Sequence, residues 1–195
     1  MPRVPALALA ALIATAPAAM AAPDEALTFM QRFSGEWLGT GQLLIGPQVG
    51  TKFHCALAGD PSRTQMTLGM TGKCWMGSLS APVYANIRYN EETARFYGAF
   101  MDGAAGNGVD IMGNQTEKGV SLRLVRGPAQ GSMVAEPIGD KQMKVVLSLY
   151  DRKNDRHIPV AAMGFTRKEA SEMGLPSLDL SEFDTSSRSR VANVQ

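Results

Sequence analysis

Charge is scarce in this chain, and so are histidine, cysteine and long apolar runs. Lys and Arg number 19 against 18 Asp and Glu, a formal charge of +1, and charged residues make up only 19% of the sequence. Binding to nucleic acid or an acidic lipid surface rests on clustered Lys and Arg releasing counterions, and no polybasic block is present, so that class of partner is excluded. With 2 His in the chain there is no His-x-x-x-His pair, and with 2 Cys there is no Cys-x-x-Cys. Aromatic residues at 7% are too sparse for the girdles of an outer-membrane barrel. Beyond the N-terminus no apolar stretch reaches the ~18 residues that a membrane helix needs. The abundant residue is glycine, 20 in a chain of 195 that is 45% hydrophobic. One domain rich in short strands and tight turns fits those figures.

The N-terminus reads as a targeting segment. Arg3 supplies a positive start, Val4 to Ala14 an apolar run broken only by Pro5, and Ala19-Met20-Ala21 the small-x-small pattern of a signal peptidase site. We expect residues 1–21 to be a cleaved signal peptide, with an uncleaved anchor as the alternative. No Cys follows the site, so no lipid anchor is indicated, and the mature chain is expected to be soluble and periplasmic or secreted. In an oxidising compartment Cys55 and Cys74 are most simply a disulfide, worth about 3 kcal/mol for a loop of that size. A redox role is the alternative.

After the signal, Ala26, Phe29, Met30 and Phe33 fall at helical spacing behind Asp24 as cap, with Gly35 as a stop. From Trp37 onward the period becomes two. Val83, Ala85, Ile87 and Tyr89 alternate with Tyr84, Asn86 and Arg88; Val120, Leu122 and Leu124 alternate with Ser121 and Arg123; Met143, Val145, Leu147 and Leu149 form a third such face. Turn signals divide the runs at Gly46-Pro47, Gly59-Asp60-Pro61, Asn90-Glu91, Gly103 to Gly108, Gly127-Pro128 and Gly139-Asp140. The expected fold is all-β: an antiparallel up-and-down barrel of about 8–10 strands over residues 22–168, preceded by one short helix. An open sandwich is the second choice. Residues 169–195, rich in Ser and charge, are expected to be a flexible tail, with Leu175, Leu178, Leu180 and Phe183 as a segment able to dock.

Phe33-Ser34-Gly35-Glu36-Trp37-Leu38-Gly39-Thr40-Gly41 contains Gly-x-Trp-x-Gly-x-Gly at the start of the first strand. It resembles the opening of lipocalin-like (calycin) barrels, and of nitrobindin-like and related small barrels. The chain looks closest to small exported bacterial proteins of lipocalin-like type with no assigned activity. In lipocalins a basic residue from the last strand packs over the Trp, so the resemblance implies a structural cation–π contact between Trp37 and Arg167. The flanking glycines leave room for strand curvature or for a ligand. A haem role by analogy with nitrobindins calls for a His near that closing residue, whereas His157 stands early, before Pro159.

No reactive constellation stands out. There is no Gly-x-Ser-x-Gly elbow, phosphate loop or His-Glu-x-x-His motif, and Glu91-Glu92 adjoins a turn as a solvated tip. Met66, Met70 and Met76 raise Cu(I) binding, but Met66 and Met70 share a face with Leu68 and read better as interior filling. We therefore expect no cofactor, no metal, no catalysis and no integral membrane segment after processing. The expected function is a module that binds a small apolar or amphipathic ligand through Trp37, Ile87, Tyr89, Phe96 and Phe100. The alternative is a cell-envelope structural or protein-interaction barrel with a filled core.

Overall fold

In the computed structural model, residues 23–101 and 108–168 are described. The proposed signal segment, the Asp102 to Asn107 part of the glycine run and the proposed tail from residue 169 lie outside the described residues. One helix, α1 (Pro23–Gln31), precedes ten strands: β1 (Gly35–Leu43), β2 (Lys52–Ser62), β3 (Thr67–Met76), β4 (Leu79–Asn90), β5 (Arg95–Met101), β6 (Val109–Gln115), β7 (Val120–Arg126), β8 (Ala129–Ile138), β9 (Gln142–Asp151) and β10 (Arg156–Arg167). Each strand pairs antiparallel with its sequence neighbours, and β1 pairs with β10, so the up-and-down sheet closes into a barrel. Closure removes the two edges that an open meander of this length would expose.

Odd-numbered strands run away from α1 and even-numbered strands return to it. The helical stripe Ala26, Phe29, Met30 and Phe33 is buried to between 0% and 6% exposure and closes the near end of the barrel. Asp24 lies within the first turn of α1 rather than ahead of it, where its carboxylate still complements the positive end of the helix dipole. The helix stops at Gln31, and Gly35 opens β1 with φ +88° instead of ending α1. An L-residue there would be strained, and its Cβ would meet the Arg167 guanidinium.

One turn expectation shifts. Gly59-Asp60-Pro61 lies inside β2, and the chain reverses only after Ser62. Gly59 is needed for close approach, because a Cβ there would stand 1.9 Å from the carbonyl oxygen of Phe33, where the chain leaving α1 crosses the sheet. Other glycines lie within strands. Gly72, Gly98, Gly113 and Gly131 sit in mid-strand, opposite inward-facing Leu57, Ile87, Phe96 and Leu124. At Gly98 an added Cβ would meet the Asn86 carbonyl at 2.0 Å, so the tight coiling of β4 against β5 depends on having no side chain.

Trp37 is 1% exposed, and its indole N–H donates to the Phe33 carbonyl at 3.1 Å. The Arg167 guanidinium lies 4.4 Å from the Trp37 ring centre. The same group donates to the carbonyls of Arg32 (3.0 Å), Asp140 (2.8 Å) and Ser34. One side chain thus covers the indole and satisfies carbonyls left over where α1 ends. In the barrel wall Cys55 and Cys74 are directly opposed on β2 and β3, with Cα atoms 4.0 Å apart, and are disulfide-bonded. That bond holds a register whose slip by one residue would turn each inward side chain of the pair outward.

Replacing Cys55 and Cys74 together by Ala should lower stability by about 3 kcal/mol and the thermal midpoint by about 10 °C, while the oxidised, denatured wild type should titrate no free thiol. Arg167→Met should cost about 2 kcal/mol in urea unfolding. Arg167→Lys should recover less than half of that loss, since an ammonium cannot reach three carbonyls and lie flat on the indole.

Candidate functional site: an apolar interior cavity

Alternation along the strands turns one set of side chains inward. Val83, Ala85 and Ile87 of β4, Val120, Leu122 and Leu124 of β7, and Met143, Val145, Leu147 and Leu149 of β9 all face the interior. These are the apolar faces expected from the period of two. They enclose a cavity of about 550 Å³, within the range of about 300–1,000 Å³ typical of small-molecule sites. Phe29 and Met30 of α1, with Phe33 just beyond its end, form its floor, and Ala81, Pro82, Ala129 and Leu149 lie toward the opposite rim. Leu149 is 50% exposed there. The disulfide forms part of the wall.

Of the residues expected to contact a ligand, Ile87, Phe96 and Phe100 are on the cavity wall. Trp37 and Tyr89 are not; they belong to the packed end. Tyr89 is 4% exposed with its ring 5.2 Å from that of Phe96. Burial first, and then the nearby Glu25 and Glu91 carboxylates, push the Tyr89 phenol above its ordinary range. Gly39 and Gly41 leave no ligand space either: a Cβ at Gly39 would stand 2.4 Å from the Phe165 ring, and one at Gly41 would meet Met163 and Phe53. The room beside Trp37 is taken by β10 side chains, which a sequence pattern alone does not assign.

One inward residue went unnoticed in the sequence. Arg126 continues the alternation Val120, Leu122, Leu124 and lines the cavity. Among the described lining residues it is the one charged side chain; Gln130 and Ser148 border the cavity from the outward-facing positions of β8 and β9, where Gln130 accepts a hydrogen bond from Arg123. The alternation could have revealed it, had β7 been followed to its last residue.

The outer surface carries a different cluster. A shallow groove beside β7 to β10 holds Arg123, Gln130, Ser132, Tyr150 and His157. Ser132 Oγ and His157 Nδ1 are 3.1 Å apart, a pairing that invites comparison with nucleophile and base. Such a base needs a third group to orient it, and the nearby Asp155 carboxylate instead accepts a hydrogen bond from the Tyr150 hydroxyl, which raises the Tyr150 pKa. His54 stacks on Trp75 with ring centres 5.6 Å apart. Met66 and Met76 lie at opposite ends of β3, Met66 against the core and Met70 on the cavity wall, so the three methionines do not converge. Among the described residues no group of three or more His, Cys, Asp or Glu could hold a metal ion, and no helix is long and apolar enough to cross a membrane.

No family model matches the chain, and no curated protein is significantly similar to it. Among solved structures, the fold is similar to the crystal structure of Rv2717c from M. tuberculosis, with a TM-score of 0.56 and 13% sequence identity. The match covers 73% of this chain and 97% of that one, and at such low identity it speaks for the barrel fold alone.

Proposed function

We propose that this chain is an exported, lipocalin-like barrel that holds a small apolar or amphipathic molecule without transforming it. The observation that carries the reading is the 550 Å³ cavity, floored by α1 and walled almost entirely by aliphatic, aromatic and thioether side chains. An apolar void of that size is costly to keep dry and unfilled, because its lining forgoes dispersion contacts that a ligand would restore. A barrel acting only through its outer surface gains nothing from a hollow core, so the alternative of a filled interaction barrel is the weaker reading. The disulfide favours an oxidising compartment, in agreement with the N-terminal segment.

Polarity argues in the same direction. Asn86 and Arg88 on β4 and Ser121 and Arg123 on β7 occupy exposed alternate positions, with apolar side chains turned inward between them. A transmembrane barrel has the reverse arrangement, lipid-facing apolar residues and a polar lumen.

Native mass spectrometry of the purified protein is expected to show a retained small molecule, and an environment-sensitive apolar dye should be displaced by single-chain lipids. Ala85→Trp, which places an indole in the cavity, should weaken dye binding at least tenfold with the far-UV circular dichroism unchanged. Wild-type protein that neither retains a molecule nor takes up dye would sink the proposal. Expressed with its leader in a bacterial host, the protein should be recovered from the periplasm beginning at Ala22; recovery only from the cytoplasm with residues 1–21 intact would refute export.

A further inference from the structure

The groove on the outer face of β7 to β10 gathers hydrogen-bonding side chains from four strands. Strand register explains why they meet. Arg123 of β7 stands opposite Ser132 of β8, and Tyr150 of β9 stands opposite His157 of β10. Ser132 Oγ and His157 Nδ1 are 3.1 Å apart, so the imidazole is drawn across the intervening strand. The Tyr150 ring lies 5.2 Å from the His157 ring, and its hydroxyl donates to Asp155. That bond commits the polar end of Tyr150 and leaves its ring as a wall. The small side chains of Ser121 and Ser132, set among these larger ones, leave a trough of about 380 Å³, within the range of about 300–1,000 Å³ typical of small-molecule sites.

Donors dominate the trough. A guanidinium has no acceptor, so the bond from Arg123 Nη2 to Gln130 Oε1 at 3.0 Å settles which way the amide points: its oxygen is used, and its NH2 is the group left to donate. Among the described residues no carboxylate lies within ion-pair distance of Arg123, and none lines the groove. The charge of Arg123 is therefore steadied by a neutral partner and not cancelled. Ser121 and Ser132 add hydroxyls. Such a set suits a negatively charged, oxygen-rich ligand, and the rings of Tyr150 and His157 suit the C–H face of a sugar. A bare inorganic anion would leave the aromatic wall idle, and a neutral sugar would gain nothing from the charge.

We propose that this groove is a second binding site, for an acidic carbohydrate: a pyranose bearing a carboxylate, with the acid on Arg123 and the Gln130 amide and the ring against Tyr150 and His157. The trough is shallow and open, which fits one unit of a longer saccharide whose ends run on past it. The site is independent of whatever fills the interior. Arg123, Ser132, Tyr150 and His157, which carry it, are not among the residues lining the cavity.

The test titrates the purified protein by calorimetry with trigalacturonic acid, with uncharged maltotriose and with sodium sulfate. The acidic trisaccharide should bind about tenfold more tightly than either of the others. Arg123→Gln should weaken it about tenfold and Tyr150→Leu about fivefold, whereas Lys118→Gln, which removes the same charge from the turn between β6 and β7 at the α1 end, should change it less than about twofold. Amide spectra of the wild type, which need no variant, should shift at Arg123, Ser132 and His157 and stay fixed at Phe29 and Met30. No binding of the acidic trisaccharide, shifts that avoid the groove, or equal losses in Arg123→Gln and Lys118→Gln would overturn the site. Maltotriose binding as tightly would overturn the role of the acid, and sulfate binding as tightly that of the sugar ring.

Discussion

Everything in this molecule depends on the pairing of β1 with β10, the contact that turns a ten-strand meander into a closed cylinder. It joins residues more than a hundred positions apart, Trp37 opposite Arg167 and Gly39 opposite Phe165. Such a long-range closure carries a large entropic cost, and the side chains at the seam are the ones suited to offset it. The indole is buried, the guanidinium lies on its face, and the same guanidinium donates to carbonyls at the end of α1. Helix, first strand and last strand are tied at one point. The plug at that end exists because the seam does.

Closure explains the interior as well. Ten strands enclose more volume than an α1 plug and one layer of inward side chains can fill, and several inward positions hold no side chain at all. Gly72, Gly98 and Gly113 permit neighbouring strands to coil so closely that a Cβ would stand 2.0–2.1 Å from a carbonyl oxygen across the pair. Near α1 the space is filled by Trp37, Phe96, Phe165 and Leu122, each nearly inaccessible to water. Farther from it the wall thins to Ala81, Ala85, Val109 and Ala129. The cavity runs from the floor at α1 to these smaller residues at the opposite rim. Arg126 stands at the small-residue end, where partial hydration makes a charge tolerable.

A great deal of the fold was legible in the residues. The period of two along β4, β7 and β9, the helical stripe from Ala26 to Phe33 and the Gly-x-Trp start each reflect a local requirement, since side chains must alternate across a pleat and group along a helix whatever the rest of the chain does. Less legible were Gly59-Asp60-Pro61, where a strong turn signal lies inside a strand. There the demand for a glycine comes from Phe33, a distant residue whose carbonyl presses on the sheet. The cavity wall was legible in part: Ile87, Phe96 and Phe100 line it, whereas Tyr89 shares the face of Ile87 but sits one step nearer the helix, inside the plug.

What the sequence determined by itself is the set of residues able to face inward, together with the cysteine pair, because alternation and composition are local properties of the chain. What only the tertiary structure decided is which inward residues touch one another and which face empty space. Trp37, Tyr89 and Phe96 are equally aromatic and equally inward by pattern. The first two are sealed by α1, Arg167 and neighbouring rings, and only Phe96 reaches the cavity, because the depth at which packing ends is set by how α1 seats on the closed barrel.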